Sequence, residues 1–130
     1  LFYTIGDVER IGDHAENLAE LAQINIKNNR EFSESGLNDL KKISEAAIKS
    51  VESAMECRED RELSKVRQTA RYEEEVDSLE EELKELHMER LSNHECNTKS
   101  GVIFLDAVSN YERIADHARN IAGYVKEEIE

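Results

Sequence analysis

Residues 9–19 read ERIGDHAENLA, and residues 112–122 read ERIADHARNIA, 103 positions further on. Eight of the eleven positions are identical, which marks an internal repeat rather than a chance match. A repeat of that length in a chain of 130 residues leaves room for the tail of one unit followed by one complete unit. With no initiating Met, the expectation is a piece of a longer polypeptide, with residues 1–30 as the last helix of a preceding repeat and 36–130 as a complete three-helix repeat.

The residues around the two copies favour long helices. There is no Pro or Trp, only five Gly, and 36% of residues are charged. Apolar periodicity predicts four helices, over residues 2–28, 37–57, 62–92 and 101–129. The first carries a seam of Leu1, Ile5, Val8, Gly12, Ala15, Ala19 and Ala22, spaced alternately four and three apart. Asn28, Asn29 and the stretch 33–36 supply the break, with Ser35 as the expected cap of the second helix. That helix has the seam Leu37, Leu40, Ile43, Ala47, Val51 and Ala54. A charged turn over 58–61 leads to a third helix on Thr69, Tyr72, Val76, Leu79, Leu83, Leu86 and Leu91. After a loop over 93–100, the last helix runs on Phe104, Val108, Tyr111, Ala115, Ala118, Ala122, Val125 and Ile129. Small seam residues let helix axes approach closely, so the fold class is all-α, an up-and-down antiparallel bundle. The first helix is expected to pack as a fourth helix on its own bundle or on a second copy, which makes a homodimer the expected assembly.

Charge narrows the partners. The net charge is −13, and basic residues are scattered without forming a patch, so nucleic acid and anionic membrane surfaces are not expected partners. No apolar run approaches the roughly 20 residues of a membrane span, and no signal peptide is visible. Cys57 and Cys96 fall at opposite ends of the third helix, about 45 Å apart on a 1.5 Å rise, too far for a disulfide. Reduced cytosolic thiols follow.

The candidate chemistry is carboxylate chemistry. Each copy of the repeat places a Glu and an Asp four apart, Glu9 with Asp13 and Glu112 with Asp116, followed by Asn17 and Asn120. Residues at this spacing share one helical stripe. The third helix has the same pair, Glu73 with Asp77. If the third and fourth helices form an antiparallel hairpin, Glu73–Asp116 and Asp77–Glu112 are centred on the same point, between His94 and Glu95. All four carboxylates then sit at one level, where they repel and raise one another's pKa. Oxygen ligands of this kind suit hard or borderline cations. The competing reading is a salt-bridge network, with Arg113 pairing to Asp77 or Glu73. His14 and His117 lie one step off the stripe and read as polar residues at the bundle rim or as partners of a ligand. The Glu-x-x-His signature of di-iron carboxylate proteins is absent, as are phosphate loops and nucleophile patterns, so nothing supports an enzyme.

The repeated ERIxDHAxNxA stretch, with the Glu73–Asp77 pair between its copies, resembles the PhoU family over essentially the whole chain. That resemblance implies three-helix repeats, a regulatory role in phosphate homeostasis, and multinuclear iron or other divalent ions (zinc, manganese or magnesium) bound by the acidic motifs. Carried onto this sequence, Glu73, Asp77, Glu112 and Asp116 would line one site, while Glu9 and Asp13 would belong to a preceding unit. The implied partners are a phosphate transporter membrane domain or phosphate-signalling proteins, at the cytoplasmic face of the membrane. The run Ser109-Asn110-Tyr111-Glu112-Arg113, with Ala115 replacing Gly, resembles the cytoplasmic tail of sodium/phosphate cotransporters more than free-standing PhoU.

Overall fold

Four helices carry the chain: α1 (Phe2–Lys27), α2 (Glu34–Asp60), α3 (Leu63–Ser92) and α4 (Thr98–Ile129). The computed structural model describes residues 2–27, 32–94 and 98–130. Leu1, the Asn28-Asn29 break and Cys96 therefore lie outside the described residues. Cys57 is buried and free.

The helix ends differ from the sequence expectation in instructive ways. Ser33, not Ser35, caps α2: its backbone is extended and its hydroxyl accepts from the Gly36 amide at 3.1 Å. A cap accepts from the amide three residues on, which is where Gly36 stands relative to Ser33. The charged segment expected as a turn over 58–61 is mostly helix. Arg58 and Glu59 are good helix formers, and no Gly or Pro interrupts the segment. α2 stops only at Arg61, which turns left-handed (φ 54°) and returns its amide to the Cys57 carbonyl. α4 begins at Thr98, three residues before the expected start.

α4 is the axle of the bundle. Its backbone packs against α1, α2 and α3, whereas α1 packs its backbone against α4 alone. Cross-strut contacts fix the directions. Ser53 meets Thr69 at 2.8 Å and, further along, Asp39 pairs with Arg90, which sets α2 antiparallel to α3. Asp7 meets His117 and Asn110 meets His14, which sets α1 antiparallel to α4. The expected seams of α2, α3 and α4 form the core: Ile43, Ala47, Val76, Leu83, Phe104, Val108 and Ala115 lie in one cluster, and Ala118 and Ala122 continue it. Leu37, assigned to the α2 seam, is exposed instead.

The seam of α1 is the main correction. Ile5 is 60% and Val8 46% exposed, and Gly12, Ala15, Ala19 and Ala22 are exposed as well. α1 meets the bundle through a different stripe, with Thr4 and Asp7 buried and Ile11, Leu18 and Leu21 partly buried. Periodicity picks out a stripe of apolar and small residues on α1, but what covers a stripe depends on the neighbours. Here the face toward α4 mixes Ile11 and Leu18, packed on the core, with Asp7 and His14, which hydrogen bond across the contact.

At the far end of the bundle, His87 is buried and stacks on Phe104, with ring centroids 5.2 Å apart. A Cβ on Gly101 would stand 2.6 Å from His87 Nε2, so glycine is what lets this turn of α4 approach the ring. Burial and the neighbouring Arg90 push the His87 pKa down, favouring the neutral ring. Arg90 pairs with Asp39 of α2.

Candidate metal centre

Val76 on α3 and Ala115 on α4 are both fully buried, which fixes the rotation of the two helices about their axes. Glu73 and Asp77 flank Val76, and Glu112 and Asp116 flank Ala115, so burying the apolar pair aims the acids at one another. Carboxylate oxygens of Glu73, Asp77 and Asp116 all lie within 4.8 Å of one another. Glu73 is only 4% exposed, while Asp77 and Asp116 are partly open to solvent. Glu112 joins through side-chain hydrogen bonds to Asp116 and Asp77. The hairpin alignment drawn from the sequence thus brings four of the expected site residues together.

The charges are crowded enough to hold protons. Desolvation raises the Glu112 pKa to about 8, helped by its hydrogen bond to Asp116 and by repulsion from Asp116, Glu80 and Asp77. The Asp77 pKa rises to about 6, first through desolvation and then through its hydrogen bond to Glu73 and that group's charge. Arg119 opposes this rise and is the resident counter-ion. Its Nη1 donates to Glu73 Oε2 at 2.5 Å and stands 4.0 Å from Glu74. Arg113, expected in that role, is exposed. Both arginines stand three residues from Asp116, on opposite sides of it, and the packing of α4 on α3 turns the Arg119 side toward Glu73.

Two participants escaped the sequence reading. Glu80 contributes to the negative field and is tied by Lys84 at 3.4 Å. Its signal was present, because 73, 77 and 80 follow the four-three spacing of one stripe. Arg119 could have been found as the one charge reversal within the repeat, since Glu16 occupies the same position of the first copy.

Glu9 and Asp13 are exposed on α1. Among the described residues, the grouping of three or more possible ligands is Glu73, Asp77 and Asp116, without either of them.

The repeated histidines do something else. His14 and His117 stack across the α1–α4 contact, with centroids 5.6 Å apart and planes 19° from parallel. His117 Nδ1 donates to Asp7 Oδ1 at 2.8 Å, and Asn120 Nδ2 donates to the same oxygen at 3.2 Å. On the other side, His14 Nδ1 donates to Asn110 Oδ1 at 3.1 Å, and Asn17 Nδ2 donates to it at 3.4 Å. Asp7 and Asn110 are themselves 103 positions apart. The contact is therefore a local two-fold between repeat copies, with a carboxylate on one side and an amide on the other. Buried Asp7 also accepts from Tyr124, which raises the phenol's pKa. His14 and His117 sit at this joint rather than in the carboxylate cluster.

The sequence has counterparts among known proteins. A family described as the PhoU domain matches residues 40–125, which takes in most of α2, all of α3 and most of α4. The chain is 23% identical over 115 residues to the "Phosphate-specific transport system accessory protein PhoU homolog 1" of Thermotoga maritima. That match covers 88% of the chain and 49% of the relative, so the chain spans about half the relative's length. No solved structure matches it.

Proposed function

The chain belongs to the PhoU family, and from that premise we propose that it is a regulatory domain of phosphate transport whose α3–α4 carboxylates hold metal ions. The observation that carries the cation reading is the convergence of Glu73, Asp77 and Asp116 oxygens within 4.8 Å, with Glu112 hydrogen bonded beside them. Protonation and one guanidinium neutralise the cluster only in part. A cation would supply the remaining charge and displace the proton held by Glu112. All-oxygen ligands favour iron, manganese or magnesium, and zinc accepts carboxylates as well. Glu9 and Asp13 would serve a second site only if another element brought further ligands to the exposed face of α1.

The relative's name supports an accessory protein of a phosphate transport system. The run from Ser109 to Arg113 with Ala115 supports instead a domain joined to a sodium/phosphate cotransporter. Among the described residues no helix is long and apolar enough to cross a membrane. Both readings require contact with a phosphate transporter or its signalling proteins, and a homodimer would be the simplest way to cover α1. Metal analysis of the purified chain tests the proposal. Stoichiometric iron, manganese, zinc or magnesium should be retained and then lost in Glu112→Ala/Asp116→Ala. A melting temperature indifferent to both chelator and added metal would favour a metal-free helical scaffold.

A further inference from the structure

On the flank of the carboxylate cluster, α3 and α4 enclose a groove of about 490 Å³ whose polar lining is basic in a chain of net charge −13. Arg67 stands on the α3 wall, and Arg119 and Lys126 stand on the α4 wall. Glu127 is the one carboxylate lining it, and Ala70 and Gly123 leave the floor low. A Cβ at Gly123 would meet nothing within 4 Å, so the space above it is open. Several basic side chains elsewhere in the bundle pair with acids: Arg58 with Glu128, Lys65 with Glu56, Lys84 with Glu80 and Arg90 with Asp39. Among the described residues, Arg67 and Lys126 form no ion pair. The third cation, Arg119, is borrowed from the groove by Glu73, yet its side chain remains 49% exposed. Arg119 is also the position at which the second repeat copy reverses the charge of the first, where Glu16 stands.

We propose that this groove is a binding site for a tetrahedral oxyanion of the phosphate class, built from Arg67, Arg119 and Lys126, and that Arg119 couples it to the carboxylate cluster. A guanidinium offers a planar fork of donors that suits phosphate as well as carboxylate, but it cannot serve both fully. With the cluster carrying only protons, Arg119 is held by Glu73. A cation bound to Glu73 takes over that charge and releases the guanidinium to the groove. Linkage then requires the converse: an oxyanion on Arg119 strengthens cation binding by the same factor. The coupling rests on the cation reading proposed above, whereas the groove and the Glu73–Arg119 competition do not.

The test is calorimetric titration of the metal-stripped chain with inorganic phosphate at fixed ionic strength, with sulfate and O-phosphoserine as parallel arms. Arg67→Gln/Lys126→Gln should abolish binding. Glu73→Gln, which frees Arg119 without any metal, should tighten phosphate about 5- to 10-fold, within the usual range of coupling between sites. Saturating magnesium should tighten the wild type by a similar factor and leave Glu73→Gln unchanged. Tighter phosphoserine than phosphate would assign the site to a phosphorylated side chain, and the reverse to the free ion; either upholds it. No binding by wild type or Glu73→Gln, or full binding by the Arg67→Gln/Lys126→Gln variant, overturns the site. Unchanged affinity in Glu73→Gln overturns the competition for Arg119. A magnesium titration without phosphate reports separately on the cation reading. If that fails while Glu73→Gln still tightens phosphate, the cation assignment falls and the groove stands.

Discussion

The two copies of the repeated motif have nearly the same sequence and opposite surroundings. On α4, Ala115, Ala118 and Ala122 are buried, and the acidic stripe beside them faces Glu73 and Asp77. On α1, the equivalent Gly12, Ala15 and Ala19 are exposed, and Glu9 and Asp13 face solvent with them. Only the His/Asn side of the motif does the same work in both copies, where each clasps the other. A carboxylate pair on one helix is therefore half a site. The other half comes from whichever helix is pressed against the small-residue seam.

The strongest way to break this contrast is to enlarge the seams. Ala118→Leu should destabilise the bundle by about 2–3 kcal/mol through overpacking, and Ala15→Leu should change it by no more than about 0.5 kcal/mol. Chemical denaturation of both variants checks the difference. Next comes the clasp. Asp7→Ala removes the charged acceptor of His117, Asn120 and Tyr124 and should cost about 2 kcal/mol, against about 1 kcal/mol for Asn110→Ala on the neutral side. Hydrogen exchange should locate the loss in α1 for both.

Stability against pH sharpens the comparison further. The Glu112 carboxyl is raised to about 8 in the fold, so the folded state binds a proton more tightly than the unfolded chain. Stability of the metal-free chain should then fall as pH rises from the ordinary carboxylate range through about 8. Glu112→Gln should flatten that fall, while Glu9→Gln should leave it in place; urea midpoints at a series of pH values separate them. The smallest effect is local. Ser33→Ala should cost about 1 kcal/mol as a lost helix cap, and Ser35→Ala only a few tenths, read from melting curves.

Much of this arrangement was legible in residue spacing. The four helices, the seams of α2, α3 and α4, and the level at which Glu73 and Asp77 meet Glu112 and Asp116 follow from periodicity and the hairpin centre. What spacing could not reveal is which face of a helix finds a cover. The α1 seam is a stripe of apolar and small residues, yet the face that docks carries Asp7 and His14 beside Ile11 and Leu18, because α4 presents matching donors and acceptors there. Arg113 was the expected partner of Asp77 or Glu73, but the packing of α4 on α3 puts Arg119 over Glu73 instead. Ser35 was the expected cap, but the extended backbone of Ser33 and its hydroxyl bond to the Gly36 amide make Ser33 the cap.

The most direct measurement is magnesium or manganese affinity, by calorimetry on metal-stripped protein, for the wild type, Asp116→Asn and Asp13→Asn. Binding that Asp116→Asn abolishes and Asp13→Asn leaves intact is the result expected if the α3 acids complete the site. Equal losses in the two variants, or no binding by the wild type, would contradict it.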